Sequence, residues 1–259
     1  MSQPSTAHSP SIDTATPRSR EERFRRSPGA SDRSLGRFVW YRLVQGFFST
    51  ILAATGGIRA SGRSNIPERG PVLLVSNHLS HLDVLVLGIL LKRPLNYVAR
   101  SSLFFWPLGP FIRSVGAFPI NREGMGAEGF KETLRRVRSG GIVTLFPEGT
   151  RTEDGQLGEM KSGIARLVAR THAPVVPAAI AGSFEAWPKS RAYPVPHPLR
   201  VHFGRPITID EMANLDADQL TALIRQRILE CQEVAQTGIR RDLDSDLGQI
   251  AIGRSSRFG

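Results

Sequence analysis

Eight residues, Ser76-Asn77-His78-Leu79-Ser80-His81-Leu82-Asp83, follow directly on the apolar run Val72-Leu73-Leu74-Val75. A histidine with a nearby carboxylate is a general-base pair: the imidazole takes a proton while the carboxylate fixes the ring and stabilises the imidazolium. On a straight helix, residues five apart stand about 140° from one another, out of hydrogen-bonding reach. If the chain turns at the end of a strand and Asp83 enters the next helix, His78 and Asp83 can face each other, with Asn77 bracing the turn. That end of a parallel strand is also where α/β sites collect. The segment holds alternatives. His81 lies two residues from Asp83, and Ser76 or Ser80 carries a nucleophile's hydroxyl, although neither sits in a Gly-x-Ser-x-Gly elbow. By itself the segment also reads as a capping aspartate beside two surface histidines.

A second segment, Leu145-Phe146-Pro147-Glu148-Gly149-Thr150-Arg151, again closes an apolar strand-like run. Pro147 and Gly149 shape a turn. Arg151 offers a planar fork that meets two phosphate oxygens at once, and Glu148 can orient that arginine or contact a hydroxyl. In a third segment, Gly116-Ala117-Phe118-Pro119-Ile120-Asn121-Arg122, another arginine follows another short strand. Arg100 and Lys161 add cations in comparable places. Each alone reads as a surface charge; several strand ends supplying polar groups together read as a site.

These segments resemble the signature of the phospholipid/glycerol acyltransferases. His78 to Asp83 is similar to that family's NHxxxxD block, Gly116 to Arg122 to its second block, and Phe146 to Arg151 to its FPEGTR block. Val175-Val176-Pro177-Ala178-Ala179-Ile180 is similar to its apolar, proline-containing fourth block. All four occur in the family's order, between about Ile66 and Ile207. The resemblance implies His78 as catalytic base and Asp83 as its partner. It implies Arg122, Glu148, Gly149 and Arg151 as binders of an acceptor's glycerol phosphate, with Asn77, Arg100 and Lys161 in support. Arg100 stands where many relatives have lysine, so a fork replaces a point charge. The implied reaction moves a fatty acyl group from a thioester, on coenzyme A or acyl carrier protein, to the free hydroxyl of 1-acyl-sn-glycerol 3-phosphate, giving phosphatidic acid. Another lysolipid or an ornithine-type lipid is the alternative acceptor. The thioester is a co-substrate; no further cofactor and no metal are expected.

The elements that must position these residues alternate. Strand-prone runs occupy Val72–Val75, Asn96–Ala99, Gly116–Ile120, Ile142–Phe146, Val175–Ala179 and Leu199–Phe203, with helical patterns near Leu82–Leu91, Gly126–Ser139 and Ser162–Arg170. Such alternation predicts one α/β domain, a mostly parallel mixed sheet flanked by helices. A further helix is expected over Asp218–Gln236, N-capped by Asp216 with Gln219 three residues on, and frayed polar chain after Gly238. The expected divisions are a Ser/Pro/Arg-rich tail (1–36), an amphipathic helix (37–58), the acyltransferase domain (59–212), and a helix with a polar tail (213–259).

Aromatic and aliphatic residues recur with helical spacing from Phe38 to Leu52, which fits either a helix lying in a membrane surface or one packed on the domain. The uncharged window Leu43–Ile58 spans roughly 24 Å as a helix, short of the ~30 Å hydrocarbon core. Leu103, Phe104, Phe105, Trp106, Leu108, Phe111 and Ile112 are candidates to line an acyl groove, to dip into lipid, or to form core. An association with the cytoplasmic face of a membrane, without spanning it, is the expectation.

The chain has 259 residues, 40% of them hydrophobic, which excludes a wholly disordered chain. Its single cysteine, Cys231, excludes an internal disulfide. The formal net charge is +11, favouring acidic lipid headgroups, phosphorylated substrates or nucleic acid. No nucleic-acid-binding motif accompanies that charge, so no nucleic-acid partner is expected; a non-catalytic basic binding protein is the rival class.

Overall fold

The computed structural model describes residues 35–120 and 126–255, with side chains to residue 244. Expectations for residues 1–34, and for Arg122, lie outside the described residues.

The chain enters through α1 (Leu35–Ala54) and a short strand β1 (Ile58–Ser61). The core units follow: β2 (Val72–Ser76), α2 (Asp83–Leu90), β3 (Leu95–Arg100), α3 (Leu108–Ser114), β4 (Ala117–Ile120), α4 (Gly126–Arg138), β5 (Ile142–Leu145), α5 (Gly163–Thr171) and β6 (Val175–Ala181). The remainder is α6 (Ser183–Ala186), β7 (Leu199–Phe203), α7 (Ile209–Met212) and α8 (Ala217–Ser255).

The seven strands form one sheet in the order β1-β7-β6-β2-β5-β3-β4. Strands β2 to β6 run parallel to one another, β7 pairs antiparallel with β6, and β1 pairs parallel with β7. β2 is central, and Val72, Leu73, Leu74 and Val75 are all fully buried. An unbroken apolar run belongs on such a strand, because helices cover both faces of a parallel sheet. Leu74, Val86, Leu87 and Phe203 pack on one face. Leu73, Val143, Leu167, Ile224 and Ile228 pack on the other. One consequence governs the site: the carboxyl ends of β2, β3, β5 and β6 lie along one edge.

Two elements differ from the sequence expectation. β1 falls where a helix was expected to continue through Ile58. The helix stops at Ala54, and Ile58–Ser61 instead pairs with β7 at the sheet's edge. Four residues alternating between half-buried and exposed leave too short a pattern to read. α8 runs far beyond Gly238, where polar composition predicts fraying. Tertiary contacts carry it on. Ala235 and Ile239 bury against Ala181, and Asp242 accepts from Arg59 and Arg200. Its start conforms: Asp216 Oδ1 accepts from the Gln219 amide and Gln219 Oε1 from the Asp216 amide, at 2.8 and 3.1 Å.

α1 presents an unusual arrangement. Its buried side chains are Tyr41, Gln45 and, near its end, Leu52, and Gln45 Nε2 donates to the carbonyls of Gly88 and Leu91 at 2.6 and 2.9 Å. Most of its large apolar side chains face outward, with Leu43 and Phe47 each 63% exposed and Phe38, Val39, Trp40 and Ile51 also exposed. Phe48 meets Phe111 of α3, and Trp40 donates to Ser114 at 2.8 Å. These contacts tie that face to α3, and just before α3 Phe105 and Trp106 are 58% and 84% exposed. No helix among the described residues is long and apolar enough to cross a membrane.

Candidate active site

β2 ends at Ser76, and the next six residues fold back over its carboxyl end before α2 begins at Asp83. This turn brings together residues that a straight helix would hold apart. His78 Nδ1 lies 2.8 Å from Asp83 Oδ2. The same oxygen accepts the backbone amides of Leu79 and Ser80 at 2.6 and 2.8 Å. Asp83 is fully buried, whereas the His78 side chain is 20% exposed. With Nδ1 donating to the carboxylate, the proton is absent from Nε2, which is the basic atom of the ring. The His78 ring also stacks on Phe146, 4.0 Å between centroids and 17° between planes, so its tilt is fixed.

The rivals within the segment fall away on geometry. Ser76 and Ser80 are fully buried. Ser76 Oγ donates to Asn77 and Ser80 Oγ to the Trp187 carbonyl, so neither hydroxyl is presented to a substrate. His81 is exposed and lies against Trp187 instead of Asp83. Burial, Arg151 and His78 push its pKa below the ordinary histidine value.

The loop after β5 supplies the second half. Glu148 is buried, and its two oxygens accept the amides of His78 and Gly158 at 2.8 and 2.9 Å. Its geometry is that of a brace between two loops, not of a group held out to a hydroxyl. Burial raises its pKa above the ordinary carboxylate value, against the lowering by these amides. Thr152 donates its amide to the His78 carbonyl at 2.9 Å, a second tie between the loops. Gly149 has a left-handed φ of 69° and lies under Lys161; a Cβ there would stand 3.0 Å from the ammonium nitrogen. A side chain at 149 would therefore displace that cation as well as strain the turn.

Arg151 is half-buried, and its Nη1 is enclosed without a hydrogen-bond partner. Burial lowers its pKa first, and the charge of Arg100 lowers it further, against the opposing pull of Asp83. The Arg100 and Arg151 guanidiniums, with Lys161 packed over Gly149, make a cationic surface beside the dyad. An anion there would relieve the repulsion and fill the vacant Nη1. Asn77 is fully buried one residue before the dyad. Its Nδ2 donates to the Ile180 carbonyl at 3.0 Å and its Oδ1 accepts the Ile180 amide at 2.8 Å, clamping β2 to β6. Of the residues singled out in the sequence, His78, Asp83, Asn77, Glu148, Gly149, Arg151, Arg100 and Lys161 all gather at this one edge. No metal-binding group of histidine, cysteine, aspartate and glutamate occurs among the described residues.

The family model described as Acyltransferase matches residues 57–181, which contain the whole of this arrangement. That stretch of the chain is similar to the acyltransferase family. It is 28% identical over 202 residues to the 1-acyl-sn-glycerol-3-phosphate acyltransferase of Bacillus subtilis, covering 74% of this chain and 96% of that one. It is 32% identical over 151 residues to the chloroplastic 1-acyl-sn-glycerol-3-phosphate acyltransferase BAT2 of Brassica napus, covering 56% of this chain but 44% of that longer protein. Its fold matches PlsC, the 1-acyl-sn-glycerophosphate (LPA) acyltransferase of Thermotoga maritima, with a TM-score of 0.64 at 20% identity, over 79% of this chain and 81% of that one.

Ser183 was missed in the sequence. Its Oγ donates to Asp83 Oδ1 at 2.7 Å across 100 residues of chain. Nothing in its neighbourhood, Ala181-Gly182-Ser183-Phe184, signals chemistry.

Proposed function

We propose that this acyltransferase moves a fatty acyl group from an acyl thioester to the free hydroxyl of 1-acyl-sn-glycerol 3-phosphate, giving phosphatidic acid. The observation that carries the proposal is the His78–Asp83 dyad set beside an arginine whose buried Nη1 has no partner. The named activity of the relatives supports the same acceptor. His78 Nε2 takes the proton of the acceptor hydroxyl as its oxygen attacks the thioester carbonyl. Asp83 holds the ring and stabilises the imidazolium. The tetrahedral intermediate collapses, the carbon–sulfur bond breaks, and the imidazolium returns the proton to the departing thiolate. Arg151, with Arg100 and Lys161, binds the phosphate and so positions the hydroxyl for attack. The thioester is consumed as co-substrate, and none of these steps calls on another cofactor.

The outward apolar face of α1, with Phe105 and Trp106, supports a monotopic seat in the membrane surface that contains the acceptor. The test is the purified protein with a panel of lysophosphatidate, other lysophospholipids and a lyso-ornithine lipid, each with acyl-CoA and with acyl carrier protein. Lysophosphatidate is expected to be the preferred acceptor. Arg151→Lys keeps charge but loses the fork. Losing a charge-assisted contact of about 1.5–3 kcal/mol should raise the acceptor KM roughly ten- to 150-fold. Preference for another lysolipid would replace the acceptor. A raised donor KM with an unchanged acceptor KM would move Arg151 to the thioester.

A further inference from the structure

Asp83 accepts bonds on both oxygens, but unequally. Oδ2 takes three donors, His78 Nδ1, Leu79 N and Ser80 N. Oδ1 takes the Ser183 hydroxyl at 2.7 Å, with both side chains fully buried. A partial rotation about the Cβ–Cγ bond of Asp83 would swing Oδ2 out of line with His78 Nδ1. The Ser183 bond opposes that rotation.

The backbone aims Ser183 by design of the turn. β6 ends at Ala181, and Gly182 adopts a left-handed φ of 86°. A Cβ on Gly182 would overlap the carbonyl oxygen of Pro198, so glycine is required there. The reversal starts α6 at Ser183 and points its hydroxyl under the end of β2. Because Asn77 clamps Ile180 with two bonds, the separation of Ser183 from Asp83 is set by the sheet and not by a free loop. The other titratable groups facing the dyad, Glu148, His81 and Arg151, come from its own segment and from the loop after β5, and Oδ1 takes its hydrogen bond from Ser183.

We infer that Ser183 is a positioning residue for acyl transfer, holding the Asp83 carboxylate so that Oδ2 stays aligned with His78 Nδ1. The inference rests on the proposed role of the dyad. Its expected signature is a loss in turnover without a loss in substrate binding. Ser183→Ala should lower kcat roughly ten- to hundredfold, the scale of one charge-assisted hydrogen bond, with both KM values unchanged. Ser183→Thr, which keeps the hydroxyl, should recover most of that loss.

The experiment is steady-state kinetics on wild type, Ser183→Ala and Ser183→Thr, full length, with thermal melting of each. Absent transfer by wild type counts against the reaction itself and takes this inference with it. An active wild type alongside an Ser183→Ala of undiminished kcat counts against Ser183 alone. So does a loss expressed in acceptor KM, or a folded Ser183→Thr no better than alanine. If Ser183→Ala does not fold, Ser183→Cys replaces it, being close in size but a weak donor. A folded cysteine variant with wild-type kcat overturns the inference, and a low kcat supports it.

Discussion

At the scale of residues, the site depends on one histidine being unlike its neighbour three positions on. His78 has a buried carboxylate on Nδ1 and an aromatic ring beneath it. His81 has no such carboxylate and no stacked ring, and lies exposed and tilted against Trp187. His78→Ala should therefore reduce acyl transfer by ~10²–10⁴-fold, the usual worth of a general base, while melting close to wild type. His81→Ala should cost far less, because it removes only a neighbour of the Arg151 charge. Parallel kcat measurements check this; an essential His81 with a dispensable His78 would reverse the assignment.

At the scale of elements, α1 is amphipathic in an inverted sense. A helix docked only on its own domain would turn its apolar side inward, since burial of a large apolar side chain is worth about 1.5–3 kcal/mol. Here Tyr41 and Gln45, with Leu52 as the one large apolar side chain fully turned inward, make the inner contacts, and Leu43 and Phe47 face solvent. Changing Leu43 and Phe47 together to Ser should weaken flotation with liposomes and leave the melting temperature nearly unchanged, as for other exposed positions. Gln45→Ala should do the opposite. It strips a donor from two backbone carbonyls, which costs about 1–3 kcal/mol when such groups stay buried, and so should lower the melting temperature. Liposome binding by the double Ser variant equal to wild type would remove α1 from the membrane seat.

At the scale of the whole molecule, charge and apolar surface act together. Residues 37–259 contain 28 Lys and Arg against 19 Asp and Glu, so most of the +11 belongs to the chain beyond the first 36 residues. Basic residues near an anionic leaflet attract it at about 1 kcal/mol each, and salt screens that attraction, with a Debye length of about 10 Å at 0.1 M. Binding to vesicles with anionic lipid should exceed binding to neutral vesicles and fall as salt rises, leaving a residual apolar component. Flotation across a salt series measures it. Salt-independent binding would assign the whole association to the apolar face.

The sequence by itself carried the type of fold and the segments that hold the candidate site. Alternating strand and helix patterns mark a parallel sheet, and NHxxxxD and FPEGTR each sit where a buried apolar strand must end. Both are local signals: the apolar run of β2, the Pro/Gly turn before Arg151 and the Asp216–Gln219 cap depend on residues a few positions apart. Tertiary structure decided what local pattern cannot encode. It chose His78 over His81 as the partner of Asp83 and turned Glu148 inward as a brace. It paired Ile58–Ser61 with β7 and carried α8 past Gly238. It also brought Ser183 to Asp83 across 100 residues. Each of these rests on a hydrogen bond or burial between segments remote in sequence. The strength of such contacts comes from exclusion of water, which only the assembled sheet and its covering helices provide.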